Sequence, residues 1–89
     1  MATEYEILSR LLYAWRTALG DRPSMIRDAM AISANDALFN SFSEIAEELG
    51  EINRKRLGRF IARHQGRIVD GMHFERASGT TSSIRWLVK

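Results

Sequence analysis

Six cations, Arg54, Lys55, Arg56, Arg59, Arg63 and Arg67, stand between Asn53 and Arg67 with no carboxylate among them. Cations repeated along one short segment bind polyanions by displacing condensed counterions, and a nucleic-acid backbone is the usual polyanion. The same stretch, NRKRLGRFIARHQGR, carries an apolar stripe at Leu57, Phe60, Ile61 and His64. Intervals of three and four put that stripe on one face of a helix. The segment therefore reads as an amphipathic helix over 54–65, packed on one side and charged on the other.

The faces follow from 100° of rotation per residue. With the stripe inward, the opposite face is centred on Lys55, Arg59, Ala62 and Gly66, with Arg56 and Arg63 as its flanks. Small residues at Ala62 and Gly66 let a backbone approach a groove closely. Arg54, Lys55 and Arg56 crowd the positive end of the helix dipole, where each poorly screened cation is unfavourable by about 0.3–1 kcal/mol. Phosphate oxygens relieve that cost, because a helix N-terminus is itself an anion site. The competing expectation is that Glu51 or the acidic helix upstream neutralises these cations within the fold. Lys55, Arg59 and Arg63 are the stronger contact candidates, while Arg54 and Arg56 stand evenly between the two expectations. Gly58 in mid-helix costs roughly 1 kcal/mol against Ala, which either tight packing or close approach of a ligand would explain.

Other chemistries lack their residues. Neither His64 nor His73 has a ligand partner at metal spacing, and His64 reads as a packed histidine. Glu44, Glu47 and Glu48 read as the solvated side of a helix rather than an acid–base pair. No Gly-rich phosphate loop is present: Gly58 and Gly66 lie within and after a helix, not after a strand. The expectation is a binding domain, not an enzyme, with no catalytic residue, no metal site and no cofactor.

The 89 residues make one domain, 1–89, and 45% apolar content fills a modest core. The chain has no Cys, which rules out disulfides and thiolate metal sites and fits a reducing cytoplasm. No apolar run approaches membrane-spanning length and no signal-peptide pattern follows Met1, so a cytoplasmic location without a membrane partner is expected. The net charge of +2 hides a dipole: residues 1–49 sum to −4 and residues 50–89 to +6. Such a domain turns one end toward a polyanion.

The elements that must position the cations are legible by period. Tyr5, Leu8, Leu12, Trp15 and Leu19, widened by Leu11 and Ala18, predict a helix over 4–19 with Thr3 as N-cap and Gly20 as its stop. Ser24 is the expected cap of a short helix at 25–33 that buries Ile26, Ala29 and Met30. Asn35 or Asp36 then caps a helix over 37–49 with Leu38, Phe42, Ile45, Ala46 and Leu49 on one face and Gly50 as C-cap. Asn53 caps the basic helix. Alternation at 72–77 and 83–88 predicts two antiparallel strands with Met72, Phe74, Ile84, Trp86 and Val88 inward, joined by a turn at 78–82.

Ala46 and Gly50 have the small-residue and turn-glycine spacing of a helix-turn-helix, with a turn at Gly50–Asn53 one residue longer than the simplest form. A basic second helix followed by a hairpin outlines a winged helix-turn-helix. The expected architecture is α+β: N-terminal helices (4–33), a helix-turn-helix (37–65) and a C-terminal hairpin wing (67–89).

The stretch Leu57–Lys89 resembles the C-terminal tail of phage, plasmid and integrated-element replication proteins of the primase-helicase type, which carry a superfamily 3 or related ATPase. The resemblance is carried by Leu57-Gly58, Arg67-Ile68-Val69-Asp70-Gly71 and Trp86-Leu87-Val88, with Ala14-Trp15 and Gly20 fitting loosely upstream. It covers about the last 35 residues and implies a winged helix binding double-stranded DNA near an origin, or an accessory module of a helicase. The chain has no ATPase or primase part, so an excised domain or a small free-standing protein is expected, with a larger replication helicase or primase as a candidate partner.

The residues expected at DNA are Lys55, Arg59 and Arg63, then Arg56, Arg67, Thr80, Thr81 and Arg85. The helix would enter the major groove while the wing lies on adjacent backbone. The rival expectation is a protein-docking winged helix, in which the acidic half meets a basic partner or the basic half of another copy.

Overall fold

Thr3 starts the first helix as its residue type predicts: its Oγ1 accepts the Glu6 N–H at 3.2 Å. The computed structural model describes residues 3–32, 37–78 and 84–89. Helix α1 spans Glu4–Leu19, followed by α2 Ile26–Ile32, α3 Ala37–Ala46, a ribbon of β1 Glu47–Glu48 and β2 Glu51–Ile52, α4 Arg54–Arg63, β3 Phe74–Ser78 and β4 Arg85–Val88. The fold is α+β: helices packed on a small antiparallel sheet at the C-terminus. The expected caps Asn35 and Asp36, residues 79–82 of the expected turn and Ser83 of the expected second strand lie outside the described residues.

The core joins all the layers at Trp15. Its ring meets Phe42 of α3 edge-on at 6.2 Å and Phe74 of β3 edge-on at 5.4 Å. Edge-to-face pairs of this kind add to the gain from burial. Leu8, Leu11 and Leu12 from α1, Leu38 from α3, Leu57 and Ile61 from α4 and Val88 from β4 complete the packing. Tyr5, expected in the α1 stripe, is half exposed in the first helical turn, outside the packed length of that stripe.

Two local expectations fail for identifiable reasons. Helix α3 ends at Ala46, not at 49, and Leu49 is fully exposed instead of buried. Leu49 and Gly50 have φ of 51° and 84°, the signature of a type I′ turn, which closes the ribbon with Glu47 opposite Ile52 and Glu48 opposite Glu51. The ribbon brings Ile52 back against the core, and the Asn53 N–H reaches the Ala46 carbonyl at 2.8 Å. The Asn53 N–H thus satisfies the Ala46 carbonyl that continued winding would have left to the Gly50 N–H. The link between α3 and α4 is therefore a β ribbon, longer than the expected Gly50–Asn53 turn. Ser24 is not the cap of α2: it exchanges two backbone hydrogen bonds of 2.9 Å with Trp86, laying a single extra rung on β4.

The C-terminal sheet keeps the expected inward set. Phe74 pairs with Val88 and Arg76 with Trp86, with a bulge between Arg76 and Ser78. Phe74, Trp86 and Val88 are buried, Ile84 partly so, and Leu87 is buried as well. Between α4 and β3, Asp70 (φ 53°) and Gly71 (φ 78°) form a second type I′ turn that closes Val69 onto Met72. The Ser9 hydroxyl donates to Asp70 Oδ2 at 2.7 Å and ties that turn to α1.

Candidate nucleic-acid interface

Helix α4 begins with a complete cap and no compensating acid. Asn53 Oδ1 accepts the Arg56 N–H at 3.1 Å, and the first turn contains no carboxylate. The helix ends at Arg63 with His64 as C-cap, two residues short of the expected end, because the chain turns there toward the sheet. Leu57, Phe60, Ile61 and His64 all face the core, as their spacing predicts. Lys55, Arg59, Ala62 and Gly66 are exposed, also as expected.

The cations divide into two sets. On the flank facing α1 and the ribbon they are compensated. Arg56 Nη1 lies 3.1 Å from Glu48 Oε1, and the Asn53 side-chain amide donates to Glu48 Oε2 at 3.1 Å. The Asn53 hydrogen bond, then the Arg56 one, holds the Glu48 carboxyl below its ordinary range. Arg63 Nη1 lies 3.7 Å from Glu4 Oε1, and the buried His64 Nε2 lies 2.7 Å from that same oxygen. The His64 hydrogen bond, followed by the charges of His64, Arg63 and Arg67, holds the Glu4 carboxyl below its ordinary range. The acids on this flank are Glu48, from the segment expected to be the acidic helix upstream, and Glu4, while Glu51 is not among them; the competing expectation of neutralisation within the fold thus holds for Arg56.

On the other flank, Arg54, Lys55 and Arg59 have no carboxylate within 4.0 Å among the described residues. With Gly58 and Ala62 they form one wall of a groove whose other walls are Met25, Ile26 and Arg27 beside them and Ile84 and Trp86 of the sheet. A Cβ on Gly58 would stand 3.5 Å from Ile26 Cδ1, an ordinary van der Waals contact. Helix α2 therefore runs alongside α4 without needing a glycine there. Arg27 completes the rim; its nearest carboxylate is Asp28 at 4.0 Å.

Of the eight residues expected at DNA, Lys55 and Arg59 share the groove, while Arg56 and Arg63 lie on the compensated flank. Arg67 is exposed just past His64, and its charge acts on Glu4. Arg85 is exposed between Ile84 and Trp86, which line the groove, so strand alternation turns it to the other side. Thr80 and Thr81 lie outside the described residues. Arg27 was missed by sequence reasoning. It is a lone cation in a short helix, and nothing in the local pattern signals that α2 packs on α4.

A second cleft, of about 810 Å³, lies between α1 and α3, but its principal charges satisfy one another: Arg10 reaches Glu44 with two nitrogens at 2.6 and 3.2 Å. Among the described residues no group of His, Asp and Glu could hold a metal ion, and no helix is long and apolar enough to cross a membrane. No family model, no curated protein and no solved structure matches this chain.

Proposed function

We propose that the chain is a DNA-binding domain of the winged helix-turn-helix type, a double-stranded-DNA-contacting module of a mobile-element replication protein. In this reading α3 and α4 are the helix-turn-helix, α4 enters the major groove, and the hairpin of β3 and β4 is the wing on adjacent backbone. The ribbon in place of a short turn is the departure from the simplest form.

One observation carries the proposal: Arg54, Lys55 and Arg59 share an exposed flank of one capped helix with no described carboxylate in reach, while the fold supplies acids to Arg56 and Arg63. Uncompensated cations at the positive end of a helix dipole cost stability in the free domain, and phosphates remove that cost. Small residues at Gly58 and Ala62 between the cations leave room for a groove wall. The test is fluorescence anisotropy with a labelled random duplex at about 50 and 200 mM salt. Binding that weakens steeply with salt supports the proposal; no binding at the lower salt refutes it for this chain.

A further inference from the structure

We infer that the Glu47–Ile52 ribbon is a docking knob, and that Leu49 with its flanking carboxylates seats in the groove between α2, α4 and β4 of a second copy of this chain. The starting point is a residue that the fold does not explain. Leu49 is completely exposed, with a φ of 51°. A left-handed conformation is strained for an L-residue with a Cβ, and type I′ turns favour Asn, Asp or Gly at this position. The other type I′ turn of this chain follows that preference with Asp70-Gly71. Leu49 therefore accepts strain and gains no burial in the single chain.

The surroundings of Leu49 specify what it would meet. Glu47, Glu48 and Glu51 flank it, and no base lies between Glu44 and Asn53. Glu48 is engaged by Arg56 and Asn53 and Glu47 accepts the Gly50 N–H, but all three side chains stay exposed around an apolar tip, a chemistry that repels a nucleic-acid backbone and suits an apolar hollow rimmed by cations. The α2–α4–β4 groove has that chemistry: Met25, Ile26, Ile84 and Trp86 provide apolar lining, and Arg27, Arg54, Lys55 and Arg59 form the rim. It is an open groove of about 720 Å³. The tip is not in its own groove, since Leu49 touches nothing, so the knob that fits comes from another molecule. Knob and groove are different patches, and the contact either repeats head to tail or is reciprocated about a two-fold axis. Because it uses the cations assigned above to DNA, a docked copy and a duplex exclude one another at that groove.

The test is sedimentation equilibrium of the full chain at low and moderate salt, with Leu49→Asn and Arg59→Glu variants. Asn suits the left-handed position, so Leu49→Asn removes the knob without disturbing the fold, and its melting temperature should not fall. The parent should self-associate at low salt and dissociate at least about tenfold more readily at moderate salt. Each variant alone should be monomeric. Their equimolar mixture should pair, because one retains the groove and the other the knob. A parent that stays monomeric at low salt overturns the inference, as does a Leu49→Asn variant that associates like the parent. Duplex binding separates this inference from the DNA proposal: where the parent self-associates, Leu49→Asn should bind duplex more tightly because no knob competes for the groove. An equal affinity there overturns the inference, whereas a parent that associates but binds no duplex even when diluted to monomer refutes the DNA proposal alone.

Discussion

The division of the α4 cations makes a quantitative prediction about salt. Four cations rim the groove: Arg54, Lys55 and Arg59 without a carboxylate within 4.0 Å among the described residues, and Arg27, whose nearest carboxylate is Asp28 at 4.0 Å. If each neutralises one phosphate, log K falls with log salt at a slope of about −0.9 per contact. Between about 50 and 200 mM, four contacts cost roughly 150-fold in affinity and three contacts roughly 40-fold. Arg59→Ala should therefore lower the loss from the first figure to the second. Arg56→Ala should leave the slope unchanged, because Glu48 already compensates that guanidinium at 3.1 Å. The assay is anisotropy titration of a labelled duplex across five or six salt concentrations, with the parent and both variants. Comparing slopes rather than affinities removes any uniform loss from misfolding. The reasoning is refuted if Arg56→Ala flattens the slope as much as Arg59→Ala does: the ion pair would then open on binding, and the static division of the helix would not predict contact. Should Arg59→Ala weaken one sequence by about 1–3 kcal/mol more than others, Arg59 reads a base edge instead of a phosphate.

Three further outcomes follow from the same geometry. Gly58→Ala should raise stability by up to about 1 kcal/mol in urea melts, because the new methyl meets Ile26 at ordinary contact distance and the helix gains propensity; loss of duplex binding in a folded Gly58→Ala variant would assign the glycine to close approach of DNA. Glu4 and Glu48 both have carboxyls held below the ordinary 4.5, so the stability they add is complete above that value and disappears as pH falls through their lower folded values. Glu4→Gln or Glu48→Gln should thus be less stable than the parent at neutral pH and indistinguishable from it in strong acid, measured as urea midpoints against pH. Phe42→Ala removes a fully buried ring that meets Trp15 edge-on and should cost about 3–5 kcal/mol, most of the stability of so small a domain, seen as lost cooperativity in thermal melts by circular dichroism.

What the sequence made legible was local. Thr3 and Asn53 cap the helices their positions predict, and the inward sides of α4 and the two strands follow from spacing alone. The failures are places where a distant partner overrides a local pattern. Leu49 continues the α3 stripe at correct helical spacing, yet pairing of Glu47 with Ile52 ends the helix first. Ser24 has the residue type of a cap and is instead a rung on a strand that arrives only at Trp86. The site was half legible for the same reason. Periodicity identifies the outer face of α4 but not which of its cations the fold has already neutralised. Glu4, which takes up Arg63, meets His64 across 60 residues of chain. Arg27 entered the site by the same kind of tertiary packing.

The asymmetry of α4 bears on why the helix is so basic. Arg56 and Arg63 have structural work, since through Glu48 and Glu4 they tie the helix to the ribbon and to the start of α1. Such exposed pairs add little to stability, and the rotation of the helix about its axis is set by the burial of Leu57, Phe60, Ile61 and His64. That rotation decides which residues face outward. With that stripe inward, Lys55 and Arg59 stand on the flank beside Arg54, where the first turn offers no acid. An acid in that turn would improve the capped helix through its dipole, and a domain shaped by stability alone would have one. A local rule broken while its neighbours are satisfied is the pattern expected of a surface kept for binding. Burial of the apolar stripe thus aims the cations outward, and the two ion pairs leave only one flank of them uncompensated.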